Sequence, residues 1–188
     1  MINTLSRMLR TGILTEPMPT LEPRTSNLEP ALHTLQQNLW AILGRALCIR
    51  HVDAGSCNAC ELEIHALNNP YYNLEGIGIK FVASPRHADL LLVTGPVSVN
   101  MEEALCRTYD AIPDPKLVVA IGDCATCGGL FAPTPDLVIS TAPSSASYAT
   151  RGPISAVIPV NHSIPGCPPA PAAILAGLLE ALTAATTE

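Results

Sequence analysis

Five short runs of β-branched and aliphatic residues, separated by helix-forming stretches and Gly- or Pro-marked loops, set the strongest limit on what this chain can become. They are Cys48–Val52, Ile77–Ala83, Leu90–Thr94, Leu117–Ile121 and Ala156–Val160. Each is largely apolar and bounded by Gly, Pro, Asp or Asn, as strands buried on both faces are. Helical candidates lie between or after them at Glu61–Asn68, Met101–Ile112 and from Ala170 to about Ala184. Alternation of this kind predicts an α/β fold, a doubly wound parallel sheet. Ahead of it, residues 31–47 carry a helical period, with Leu32, Leu35, Leu39, Ile42 and Leu43 on one side. Residues 1–30 read as an extended N-terminal segment: an apolar-basic stretch (Ile2 to Leu14) spaced like one helix face, then a Pro-containing linker from Glu16 to Pro30. Residues 31–188 then make one domain, interrupted at 132–155 by a surface excursion rich in Pro, Ser, Thr and Ala.

Composition narrows the class. At 188 residues the chain can bury a real core. Its net charge of −6, with no Lys/Arg cluster, argues against a nucleic-acid partner. Charged residues are only 14% of the chain, so partner subunits are expected to cover much of the surface. No apolar run approaches the about 18 residues of a membrane span, and the N-terminus lacks the form of a secretory signal. In the reducing compartment this implies, the seven cysteines are better suited to metal or redox work than to disulfides.

The cysteines fall unevenly on the scheme. Cys57 and Cys60 form a C-x-x-C directly after the first strand, at the start of a helix. Cys124 follows Leu117–Ile121 in GDCATCGG, and Cys167 follows the last run in IPGCPP. Three strand ends thus deliver thiols to the carboxyl edge of the sheet, where α/β folds bind their ligands. Glycines at 55, 122, 128, 129 and 166 let backbone approach a bulky inorganic core, and Pro168–Pro169 are expected in the first turn of the last helix. Residue types and spacing favour an iron–sulfur cluster over zinc, which usually takes two close pairs, and over a bare redox dithiol. Cys48 and Cys106 read as packed core residues. Cys127 forms a second C-x-x-C with Cys124, and as a ligand, a spare thiol or a packed residue it stays open.

These residues carry a family likeness. The strings VDAGSCNACELEI, GIGIKFVASPRHADLLLVTGPV, PDPKLVVAIGDCATCGG and IPGCPPAPAAIL resemble the small subunit of membrane-bound, energy-converting [NiFe] hydrogenases of the formate-hydrogenlyase and hydrogenase-4 type. That group shares ancestry with the 20 kDa (B) subunit of complex I. The likeness runs from about Cys48 to Leu182. It implies a flavodoxin-like domain holding one [4Fe-4S] cluster on Cys57, Cys60, Cys124 and Cys167. It also implies a hydrogenase-type large subunit, a ferredoxin-like iron–sulfur subunit and membrane-arm subunits as partners, at the cytoplasmic face of the cell membrane. Complex I relatives carry two adjacent cysteines in the first motif; the Cys57–Cys60 spacing resembles the hydrogenases instead. Two departures stand out: Cys127 where relatives have a small polar residue, and Asn161 where they often have Asp.

Other polar residues invite two readings each. Glu61 and Glu63 could relay protons or face a partner; Glu61 could equally serve the helix dipole. Arg86 and His87 sit in a loop that in this family lies near the cluster, where an Arg could hydrogen-bond cluster sulfurs or brace the next strand. His51 and His65 read as packing or surface residues. The expected function is electron transfer to a [NiFe] centre for H2 evolution or oxidation. The alternatives are a quinone reductase subunit of complex I type and a zinc-stabilised interaction module without redox work.

Overall fold

The computed structural model describes residues 44–131 and 150–185, with His33, Gln36, Gln37 and Ala41 as helical positions ahead of them. The expected amphipathic stretch at 2–14, the linker at 16–30 and most of the 132–155 excursion lie outside the described residues. Strands β1 (Leu47–Asp53), β2 (Ile79–Phe81), β3 (Leu90–Thr94), β5 (Leu117–Ile121) and β7 (His162–Ile164) form one sheet in the order β2-β1-β3-β5-β7. All four pairings are parallel. Renumbered among themselves, the strands run 2-1-3-4-5, the flavodoxin-like order. A separate antiparallel pair joins β4 (Val97–Ser98) to β6 (Thr150–Gly152).

Period-two alternation divides the core. Leu90 and Leu92 of β3 and Val119 and Ile121 of β5 pack on one face of the sheet; Leu91, Val93, Val118 and Ala120 pack on the other. Helices α1 (Ala59–Ala66) and α4 (Pro171–Ala185) cover the first face through Ile64, Ile174, Leu175 and Leu178. Helix α2 (Val99–Ala111) and the short α3 (Asp123–Cys127) cover the second through Leu105 and Ala125. Polar residues are nearly absent between these layers; Glu61 and Thr94 are the two buried ones among the described residues. Helix α4 lies close on β7, for a Cβ at Gly177 would stand 2.5 Å from Ile164 Cγ1.

Several expected boundaries move. The helical period over 31–47 runs too far, because the chain turns at Gly44 (φ 60) and Leu47 already starts β1. The run Ala156–Val160 is not a strand. Ile154–Ala156 form a 3-10 turn, and Pro159 has no N–H to give a ladder. Its apolar character comes from Ile154 and Ile158, which are buried in the second core. The last strand is the more polar His162–Ile164, paired on one side only, and Asn161 pins its register. Asn161 N–H donates to Val118 O at 2.9 Å, and its Oδ1 accepts from Val118 N at 2.8 Å. Part of the supposed excursion is also ordered, since Thr150–Gly152 is β6. Pro168 and Pro169 precede α4, and Pro171 takes its first turn.

Candidate functional site

The carboxyl edge is assembled by local hydrogen bonds that follow from the sequence. At the end of β1, Asp53 Oδ1 accepts from Gly55 N at 2.8 Å and Ser56 N at 2.7 Å, an Asx turn. Ser56 Oγ accepts from Asn58 N at 3.0 Å, and Asn58 enters α1 in the left-handed conformation (φ 72) that Asn tolerates. Cys57 therefore stands exposed ahead of the helix, while Cys60 sits half-buried in its first turn.

At the end of β5, Gly122 has φ 88 and ψ 159, a region essentially reserved for glycine. A Cβ there would fall 2.7 Å from Cys60 Sγ, so the bare backbone is what lets the β5 loop meet α1. The same loop is tied to the β7 loop. Gly122 N–H donates to Ile164 O at 2.8 Å and Asp123 N–H to Gly166 O at 2.9 Å, while Asp123 Oδ1 accepts from Gly166 N at 2.8 Å. Cys124 and Cys167 each follow one member of that bonded pair.

Electrostatics tie the four thiols together. Burial pushes the Cys60 thiol from 9.0 up to about 12, with further push from Glu61 and from Cys57, Cys124 and Cys167. Cys124 is raised too, by burial first and then by Cys167; the backbone hydrogen bond at Leu130 opposes, and Cys57 and Asp123 add to the rise. With the Cys60 and Cys124 thiols held protonated by burial and by their neighbours, the group is a poor anion nest by itself. It becomes a good one only beside a cationic group, whose charge reverses that balance. Cys127 makes a local contact instead. Exposed, it donates its S–H to Asp123 O of its own helix at 3.2 Å. Cys48 is buried at the start of β1, and Cys106 packs on the second core. Among the described residues, no three His, Cys, Asp or Glu side chains gather tightly enough for a single metal ion.

Beneath the thiols lies a polar contact that sequence reasoning missed. Thr94, the last residue of β3, donates its hydroxyl to Glu61 Oε1. Its oxygen in turn accepts from His51 Nε2, 3.1 Å away on β1. Glu61 Oε2 is buried with no hydrogen-bond partner. Burial lowers the His51 pKa below 6.5, against the pull of Glu61 and Asp53. His51 is thus neither surface nor plain packing. A lone Thr closing the run LLLVT was the available signal. Arg86 and His87 do not join the thiols; they line a cavity with Cys48, Lys80 and Arg45 near the start of β1. A second cavity, lined by Leu47, Leu90, Leu117 and His162, opens at the amino-terminal edge, and no cysteine lines it.

Fold and site define a flavodoxin-like domain that presents cysteine thiols from three loops at one sheet edge. The chain belongs to the family described as NADH ubiquinone oxidoreductase, 20 Kd subunit, which its residues 57–181 match. A probable membrane-bound hydrogenase subunit of Pyrococcus furiosus is 44% identical to it, over 77% of this chain and 78% of the relative. Formate hydrogenlyase subunit 7 of Escherichia coli is 38% identical, over 86% of this chain but only 61% of the relative's length. An NADH-quinone oxidoreductase subunit of Desulfovibrio desulfuricans is 38% identical over 72% of this chain and 66% of the relative. Among solved structures, a chain of the membrane-bound sulfane sulfur reductase, an archaeal respiratory membrane complex, superposes with a TM-score of 0.59 at 30% identity. That match covers 82% of this chain and 78% of the other. No helix among the described residues is long and apolar enough to cross a membrane.

Proposed function

We propose that the chain is an electron-transfer subunit holding one [4Fe-4S] cluster on Cys57, Cys60, Cys124 and Cys167. The observation that carries this is the placement of four thiols after three strand ends at one sheet edge, close enough that Cys57, Cys124 and Cys167 all bear on Cys60, with Cys127, Cys48 and Cys106 engaged elsewhere. The donor set fits the group. All four are sulfur and come from three separate loops, and four cysteine thiolates are the ligand set that a four-iron cluster takes. When bound, such a cluster supplies one-electron transfer at a potential set by its surroundings. The chain's own residues ligate and orient. Gly122 keeps the wall open beside Cys60, the Asx turn at Asp53 aims Cys57, and Glu61 places a carboxyl next to the ligand Cys60.

In the assembled enzyme the subunit takes electrons from a ferredoxin-like subunit and passes them to a hydrogenase-type large subunit. The whole is held by membrane-arm subunits on the cytoplasmic side of the membrane. The 44% identity to a hydrogenase relative and the Cys57–Cys60 spacing support H2 chemistry over quinone reduction. Reading the large subunit for its two nickel-binding C-x-x-C pairs decides between them, and their absence would overturn the hydrogenase reading. The cluster itself is tested on the complex purified without oxygen. A brown protein with equal iron and sulfide, about four of each per chain, is the expected outcome. A colourless one holding stoichiometric zinc would sink it.

A further inference from the structure

We propose that Asp123 is a positioning residue that fixes the separation of the Cys124 and Cys167 thiols. This rests on the ligand set above and adds to it a residue that is not itself a ligand.

The ladder between β5 and β7 ends at Ile121 and Ile164. Past that point two loops leave the sheet, and nothing in parallel pairing obliges them to stay together. Asp123 and Gly166 supply the missing tie in both directions. The backbone N–H of Asp123 donates to Gly166 O at 2.9 Å, and its Oδ1 accepts from Gly166 N at 2.8 Å. Each bonded residue immediately precedes a cysteine, so the two cysteine backbones cannot move apart without breaking these bonds. Gly166 is held in turn, for at φ 138 a Cβ on it would lie 2.7 Å from Pro169 Cα. Helix α3 starts at Asp123, and its carbonyl accepts the Cys127 thiol, so the same residue that ties Cys124 toward Cys167 keeps Cys127 turned to its own helix.

Charge does not explain the aspartate. Its carboxylate works against ionisation of the neighbouring Cys124 thiol. What the site needs from it is an acceptor oxygen at one distance from the backbone, and asparagine offers the same oxygen without the charge.

That contrast is the test. Asp123→Asn conserves the geometry and Asp123→Glu conserves the charge, while Asp123→Ala removes both. Each is made in the full chain within its complex. In the cluster-free chain carrying Cys127→Ser, a short bis-maleimide, which alkylates one thiol at each end, should join Cys124 to Cys167 (the joined peptides identified by mass) as well in Asp123→Asn as in the parent, and less in Asp123→Glu and Asp123→Ala. In the loaded complex, the Glu and Ala replacements should lose iron to a chelator about 10- to 100-fold faster and show the paramagnetic signal of a three-iron form. The Asn replacement should match the parent. Should Ala fail to fold, the Glu and Asn pair still decides. The proposal is overturned if Glu preserves both readouts while Asn loses them, or if all three match the parent. A Cys124→Ser chain that keeps its full iron would instead sink the ligand set, whatever the Asp123 variants do.

Discussion

Two C-x-x-C segments of identical spacing meet opposite fates in this molecule. In the first, Asn58 turns the chain left-handed between the cysteines, leaving Cys57 in a loop and Cys60 in the first turn of α1, where the Cys57, Cys124 and Cys167 thiols all bear on it. In the second, both cysteines lie in one short helix. Cys124 is tied toward Cys167, and Cys127 bonds back to the carbonyl of Asp123. Spacing counts residues; it does not record where the chain reverses. What sets the two segments apart, and in the proposed assignment a ligand pair from a ligand and a bystander, is the backbone conformation between the two sulfurs.

The comparison breaks most visibly on the cysteines themselves. Replacing Cys60 by Ser should remove the cluster's colour and its EPR signal, whereas Cys127→Ser should leave both intact. Equal loss in the two variants would erase the distinction between the segments. Next in size is Gly122→Ala, which places a methyl against Cys60 Sγ in a glycine-only conformation. A cost of about 1–3 kcal/mol in unfolding free energy is expected, with weaker cluster retention. Smaller is the change at the reversal point. Asn58→Ala should cost about 1 kcal/mol because alanine lacks asparagine's tolerance of positive φ, while Asn58→Gly should be neutral or better. Chemical denaturation of the cluster-free chain measures both.

A final effect, confined to alkaline pH, is a pH dependence. The folded chain holds the Cys60 proton up to about 12, while the unfolded chain releases it near 9.0. The folded state thus binds more protons in that window. Its contribution is complete below pH 9.0 and is lost progressively as pH rises toward 12. Cys60→Ser should flatten that decline, and an unchanged slope would count against the buried position of the thiol.

Much of the fold was legible because the strands of a parallel sheet are apolar on both faces and announce themselves. Leu90–Thr94 and Leu117–Ile121 have the bounds their residues suggest. The edge strand did not. His162–Ile164 is polar because, among the described residues, one of its sides has no neighbouring strand, and the apolar run before it belongs to a core layer instead. Cys57, Cys60, Cys124 and Cys167 do follow strands as their sequence positions suggest, and the later last strand brings Cys167 nearer a strand end than expected. The His51–Thr94–Glu61 contact was not readable, because it joins two strands and a helix through side chains that no local pattern relates. Asp123 was hidden for the same reason, its partner being a backbone amide 43 positions away.

That distance has a consequence for how the protein is made. The tie between Asp123 and Gly166 can close only after β7 has added to the sheet edge, and α4 must then settle over Ile164. A chain leaving the ribosome shows its first two thiols long before the fourth has a fixed place. Until the last helix docks, the nascent protein has only part of the proposed ligand set in place, so on that proposal completion of the fold, and not the first motif, times the loading of the cluster.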